Sequence, residues 1–254
     1  MKKIVSVVMI ATAFVFSACS NDDLTPPNNN GVKTGMTLKA TVAGQESTRA
    51  TMGGEGEGST DWTFAFDGND KVSVTNNTIN NYYTFANNTE NFVSADAKTT
   101  AEAADWYAYF PSNDVNLANQ DGTFAKVANY YAMAGQTTTA TTGVDGLNIT
   151  MNPQVAILRV VKVEKAKFGA CDINVRTADG KYIAGLAAKK NETGFDIKTS
   201  DTKVTFLSQA TPGVYYIAVP AGVKLSIYNG DKLRNTTKAA GLTAGKYYTV
   251  LTDS

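Results

Sequence analysis

The sequence predicts an all-β protein, and three observations carry that prediction. Short runs alternate apolar and polar residues, clusters of Gly, Asn, Asp and Thr separate them, and helix-forming stretches are scarce. Many short strands with regular turn signals are the pattern of a sandwich or barrel. Residues 36–42 alternate cleanly, with Met36, Leu38, Ala40 and Val42 on one face and Thr37, Lys39 and Thr41 on the other. Residues 71–75 alternate likewise, and 82–85, 106–110 and 130–133 read as further strands of the first half. The second half supplies 148–151, 155–163, 173–177, 181–184, 195–197, 204–207, 214–219, 223–228 and 246–251. Asp179-Gly180 joins two of these, and an Asp-Gly pair suits the positive φ angles of a tight hairpin. Only 95–105 is alanine-rich enough for a short surface helix.

The N-terminus is a different kind of sequence. Lys2 and Lys3 precede an apolar run from Ile4 to Phe16, followed by Ser17-Ala18-Cys19. The run is shorter than the roughly 20 residues that span a bilayer, so it reads as a secretion signal over 1–18. Its ending resembles a bacterial lipobox, which implies cleavage before Cys19 and acylation of that thiol. Each buried methylene contributes about 0.8 kcal/mol, so two or three acyl chains anchor a protein stably to a membrane. Residues 19–35, with Asp22-Asp23 and Pro26-Pro27-Asn28-Asn29-Asn30-Gly31, have little to bury and read as a flexible tether. An acidic patch just after the lipidated cysteine resembles a surface-export signal, which points to the outer face of the cell outer membrane.

Composition narrows the function. Acidic and basic residues balance at 23 each, so no nucleic-acid partner is expected. The chain has no histidine, which removes Ser-His-Asp and Cys-His catalysis and the commonest zinc sites. No carboxylate pair stands out for glycoside hydrolysis, and most acids sit in turns. Asp67-Gly68-Asn69-Asp70 lacks the spacing of an EF-hand loop and reads as a solvated turn. The expectation is a protein that is not an enzyme, with no catalytic residues, no metal and no cofactor. With Cys19 acylated, Cys171 has no disulfide partner and reads as a small buried hydrophobe.

The polar, low-complexity run 136–143 marks a boundary. It divides the mature chain into an N-terminal domain, 50–143, and a C-terminal domain, 144–254. Four stretches then resemble the fimbrillins, the family that includes the subunits of type V pili. Arg49-Ala50 follows an alternating strand and precedes the glycine-rich 52–58. Trp106-Tyr107-Ala108-Tyr109-Phe110-Pro111 is similar to the aromatic first-domain strand that ends in proline. Met151-Asn152-Pro153-Gln154-Val155 and the apolar residues after it resemble the strand that opens the second domain. That family often has a histidine there, and this chain has none. Leu242-Thr243-Ala244-Gly245-Lys246-Tyr247-Tyr248-Thr249-Val250 is similar to the closing strand.

The resemblance implies two transthyretin-like β-sandwich domains and maturation by an arginine-specific surface protease that cuts after Arg49. The residues themselves agree, because an arginine beside a glycine-rich loop is where a protease engages backbone. Residues 36–49 would then be a propeptide strand, lost to open a groove that a strand from another pilus subunit fills. The donor and acceptor residues expected are Met36, Leu38, Ala40, Val42, Tyr247 and Val250. Fimbrillin stalk subunits usually carry an appendage beyond the closing strand, whereas this sequence stops at Thr252-Asp253-Ser254. Either 246–251 is itself the donor, or the chain is a tip, anchor or accessory member. The alternative reading is a non-polymerising surface lipoprotein that binds glycan or host protein through tyrosines such as Tyr82, Tyr83, Tyr130 and Tyr131.

Overall fold

The computed structural model describes residues 36–43, 64, 66, 68–76, 83–87, 92–93, 101, 103–141, 146–162 and 171–251. The expected lipidation site Cys19, the processing site Arg49 and Ala50, the signal and the tether lie outside the described residues.

The body is all-β. Its strands are β1 (Thr37–Val42), β2 (Lys71–Asn76), β3 (Tyr83–Asn87), β4 (Phe92–Val93), β5 (Ala104–Phe110), β6 (Val115–Asn116), β7 (Met133–Thr139), β8 (Gly146–Pro153) and β9 (Val155–Lys162). They continue with β10 (Cys171–Thr177), β11 (Tyr182–Ala188), β12 (Phe195–Ser200), β13 (Leu207–Gln209), β14 (Gly213–Pro220), β15 (Leu225–Asn229), β16 (Lys232–Thr236) and β17 (Tyr247–Leu251). One short helix, α1 (Phe124–Val127), runs into a 3-10 turn over Ala128–Tyr130.

The first half closes into a barrel in the order β1-β4-β3-β2-β5-β7-β8. Closure gives each described strand of the barrel a neighbour on both sides. The second half is a sandwich. One sheet runs β12-β11-β10-β15-β16, with β13 on β10 and β6 on β11, and the other is β14-β9-β17. Inward residues of both sheets, among them Ile173, Val175, Ile227, Leu158, Val160 and Val219, belong to the same buried apolar cluster as the barrel interior.

Several expected strands begin or end elsewhere, and local chemistry explains why. The polar run taken for a boundary is strand through Thr139, paired with both β5 and β8. Threonine is β-branched and suits a half-exposed strand. Residues 146–153, just beyond it, complete the barrel. Ala104 and Asp105 of the expected helix open β5. Tyr130 ends the 3-10 turn instead of starting a strand, and Tyr131 is buried beside Phe64 at a ring distance of 4.8 Å. The Asp-Gly hairpin forms as expected: Gly180 takes φ 87°, and Thr177 accepts from the Gly180 amide.

Strands β2 and β5 bury both faces, which a half-exposed strand would not do. Val72, Val74, Ala108 and Phe110 point into the barrel. Ser73, Thr75, Tyr107 and Tyr109 point out of it, and the β11–β12 hairpin covers Thr75, Tyr107 and Tyr109. Tyr109 donates to the Glu192 carbonyl at 2.7 Å and packs edge-on against Phe195, Thr75 donates to Asn191, and Thr193 donates to Gln136. In return, the chain between β5 and β7 sends β6 into the second sheet, where Val115 and Asn116 pair with Leu186 and Gly185. The two halves therefore hold each other by exchanged segments.

Candidate functional site

Strand β1 is the seam of the barrel. Along its length it pairs in parallel with β8, and at its start it pairs antiparallel with β4 through Thr37↔Val93 and Leu38↔Phe92. The parallel register aligns Leu38 with Leu147, Ala40 with Ile149 and Val42 with Met151. Registered neighbours share a sheet face, so these pairs form apolar rungs that face the interior. Leu38 is 0% exposed and Met36 1%, Val42 is buried, and Ala40 packs against the core from a half-buried position. Lys39 and Thr41 point to solvent. The alternation seen in the sequence is thus the alternation of this seam.

The closing strand stands in a related place. All described ladders are antiparallel except two, β1 on β8 and β17 on β9. Strands β8 and β9 are nearly one strand, separated by Gln154 alone. The Met151 carbonyl accepts from Ala43 and the Val155 carbonyl from Gly245, whereas Gln154 donates to Ala132 and accepts from Ala221. Backbone groups alternate sides along a strand, so β1 and β17 lie along one edge of the run 146–162, and β7 and β14 along the other. The contact of β1 ends at Met151, and that of β17 begins at Val155. The expected acceptor and donor residues are therefore brought to a single edge. Val250 is buried there, Tyr247 is half-buried in a ring cluster with Phe124 and Tyr216, and Leu251 is 51% exposed.

Sequence reasoning did not anticipate that the opposite edge of the β14-β9-β17 sheet is blocked by a side chain. Gln120 is buried, and its amide imitates a strand: Oε1 accepts from the Ala218 amide at 2.8 Å, and Nε2 donates to the Ala218 carbonyl at 2.9 Å. The Tyr216 amide donates to Gly122 beside it. An isolated glutamine in a turn carries no motif that would reveal this. Gln120→Ala would leave a buried donor and acceptor of Ala218 without that partner, a loss of about 3 kcal/mol. Urea unfolding checks this value, and Gln120→Leu should lose nearly as much because it refills volume without hydrogen bonds.

No protein-family profile and no curated protein matches the chain. Similar solved structures include a protein from Bacteroides uniformis assigned to cell adhesion, 12% identical over 85% of this chain and 92% of that one, with a TM-score of 0.44. Another, from Bacteroides ovatus and also assigned to cell adhesion, is 11% identical over 87% and 93%, with a TM-score of 0.42. A fimbrial protein from Bacteroides ovatus is 15% identical over 88% of this chain and 49% of that one, with a TM-score of 0.35. At such overlaps, function rests on the geometry of the seam.

Proposed function

We propose that this chain is a fimbrillin-type structural and adhesive subunit of a type V pilus. In this reading Cys19 carries the precursor to the outer face of the outer membrane, and an arginine-specific surface protease releases 36–49 by cutting after Arg49. Ala50 onward then joins a fimbrium by donor-strand exchange with other subunits. One observation carries the reading: the strand just upstream of Arg49 is the barrel seam, and it shares its edge with the closing strand. Removing β1 unpairs one side of β8 and one side of β4, and it exposes Phe92, Leu147, Ile149 and Met151. Met36, Leu38 and Val42 each contribute roughly 1.5–3 kcal/mol by burial, and an incoming strand regains that stabilisation. Strand β17 is the donor best placed to leave its own subunit, being an edge strand held by one parallel ladder. Head-to-tail exchange does not close on itself, so it builds a filament.

The test is the N-terminal sequence of protein recovered from the bacterial surface, with its electrophoretic mass before and after boiling. A start at Ala50 and a heat-sensitive ladder are expected. An acylated Cys19 start with one monomer band would sink the pilus reading and leave an anchored binding protein.

A further inference from the structure

The chain has 4 arginines, at 49, 159, 176 and 234, among 23 basic residues. Lysine and arginine carry the same charge at a solvated surface, so charge balance does not decide between them. Most described lysines stand in solvent, whereas Lys162 is buried and Lys189 and Lys246 are half-buried. Lys39, Lys71, Lys126, Lys181, Lys224 and Lys238 stand exposed, and none of the three described arginines does.

A different part of the fold holds each of these arginines. Arg159 lies in β9, the central strand of its sheet, registered with Tyr216 on one side and Thr249 on the other. Arg176 lies in β10 between Tyr182 of β11 and Ser226 of β15. Its guanidinium carbon sits 4.4 Å from the centre of the Tyr182 ring and 4.0 Å from that of Tyr228. Its Nε donates to Asn174 at 3.1 Å, and Asp231 stands 3.9 Å from Nη2. Arg234 is the extra residue of a bulge on β16, where Tyr228 pairs with Leu233 and Ile227 with Asn235, and its Nε is buried.

An endoprotease binds its substrate as an extended segment with unpaired backbone, and it takes the residue before the cut into a side-chain pocket. Arg159 and Arg176 offer no free ladder groups, because both edges of their strands are paired, and the Arg176 side chain is also clamped between two rings. Arg234 is on an edge strand, and its protection comes from the buried Nε of its guanidinium. We infer that the folded body withholds all three of its described arginines from arginine-directed cleavage, while most of its described lysines stand in solvent. The inference rests on the processing reading above. It adds that the fold limits processing to one scission without any selectivity in the enzyme beyond arginine.

The experiment is limited digestion of the unassembled full-length chain with an arginine-specific endoprotease, read by intact mass and N-terminal sequence. No fragment ending at 159, 176 or 234 is expected while the fold persists. The variant Lys238→Arg places an arginine at an exposed lysine in the loop between β16 and β17, and should be cut after 238 at least about tenfold faster than after any of the three. Cleavage of the native body at 159, 176 or 234 at a comparable rate overturns the inference. So does a Lys238→Arg chain that stays whole, because placement would then not explain the sparing. Absence of a cut at Arg49 with the body intact would instead count against the processing reading and leave this inference standing.

Discussion

A chain that begins at Ala50 is expected to bind a synthetic peptide of residues 36–43, and the same peptide carrying Leu38→Asp is expected to bind at least about a thousandfold more weakly. The seam strand makes two kinds of contact that the peptide can restore: ladder bonds along β8, and apolar rungs against Leu147, Ile149 and Met151. The ladder bonds are common to any extended peptide and give affinity without selectivity. The rungs set register, because a one-residue slip would turn Lys39 and Thr41 inward and Leu38 out. Leu38 is the most completely buried of the set and abuts Phe92 as well as Leu147. Replacing it with aspartate forfeits about 2–3 kcal/mol of burial and adds the penalty of an unpaired carboxylate, together above about 4 kcal/mol. Each 1.4 kcal/mol is about tenfold in affinity. Lys39→Asp, on the solvent side, should change binding by no more than about threefold. Fluorescence anisotropy with labelled peptide measures all three. Equal binding of the native and Leu38→Asp peptides would mean that the groove does not read side chains, and strand exchange would then lack its register.

The local half of this arrangement was legible in the sequence. Alternation at 36–42 named the residues that line the seam, and an Asp-Gly pair named a hairpin, because both signals are carried by neighbouring residues. What sequence reading lost is set by partners far along the chain. Thr137 and Thr139 carry no strand signal of their own until β5 lies beside them. Val115-Asn116 is too short to show a period, and it is a strand because β11 offers it an edge. Strand β16, with the polar sequence Lys232–Thr236, is held by β15 in the same way. The edge shared by β1 and β17 needs the continuity of β8 and β9 through Gln154, where Pro153 looks like a break. The strap over Tyr109 likewise depends on a loop about 80 residues away, which no local pattern encodes.

Gly135→Ala is expected to destabilise the folded chain by about 3 kcal/mol or more, through one added methyl group. Gly135 sits in β7 directly opposite Met151 of β8. A Cβ built there would lie 2.4 Å from the Thr150 carbonyl oxygen and 2.5 Å from the Ile149 Cγ2. A side-chain tip can rotate away, but the Thr150 carbonyl belongs to the backbone of a paired strand and moves only if β8 moves. Overpacking of this kind usually costs about 1–3 kcal/mol, and a backbone obstacle places it at or beyond the upper end. Gly68→Ala is the control, since no described residue lies within 4 Å of its Cβ position, and it should be near neutral. Urea unfolding should show a lowered midpoint at unchanged slope for Gly135→Ala. A loss under about 1 kcal/mol would show that β7 and β8 yield to each other easily. The consequence reaches the seam, because Ile149 and Met151 are the rungs on which Ala40 and Val42 rest. A methyl group on the far side of β8 should therefore weaken the 36–43 peptide as well, although it touches no residue of β1.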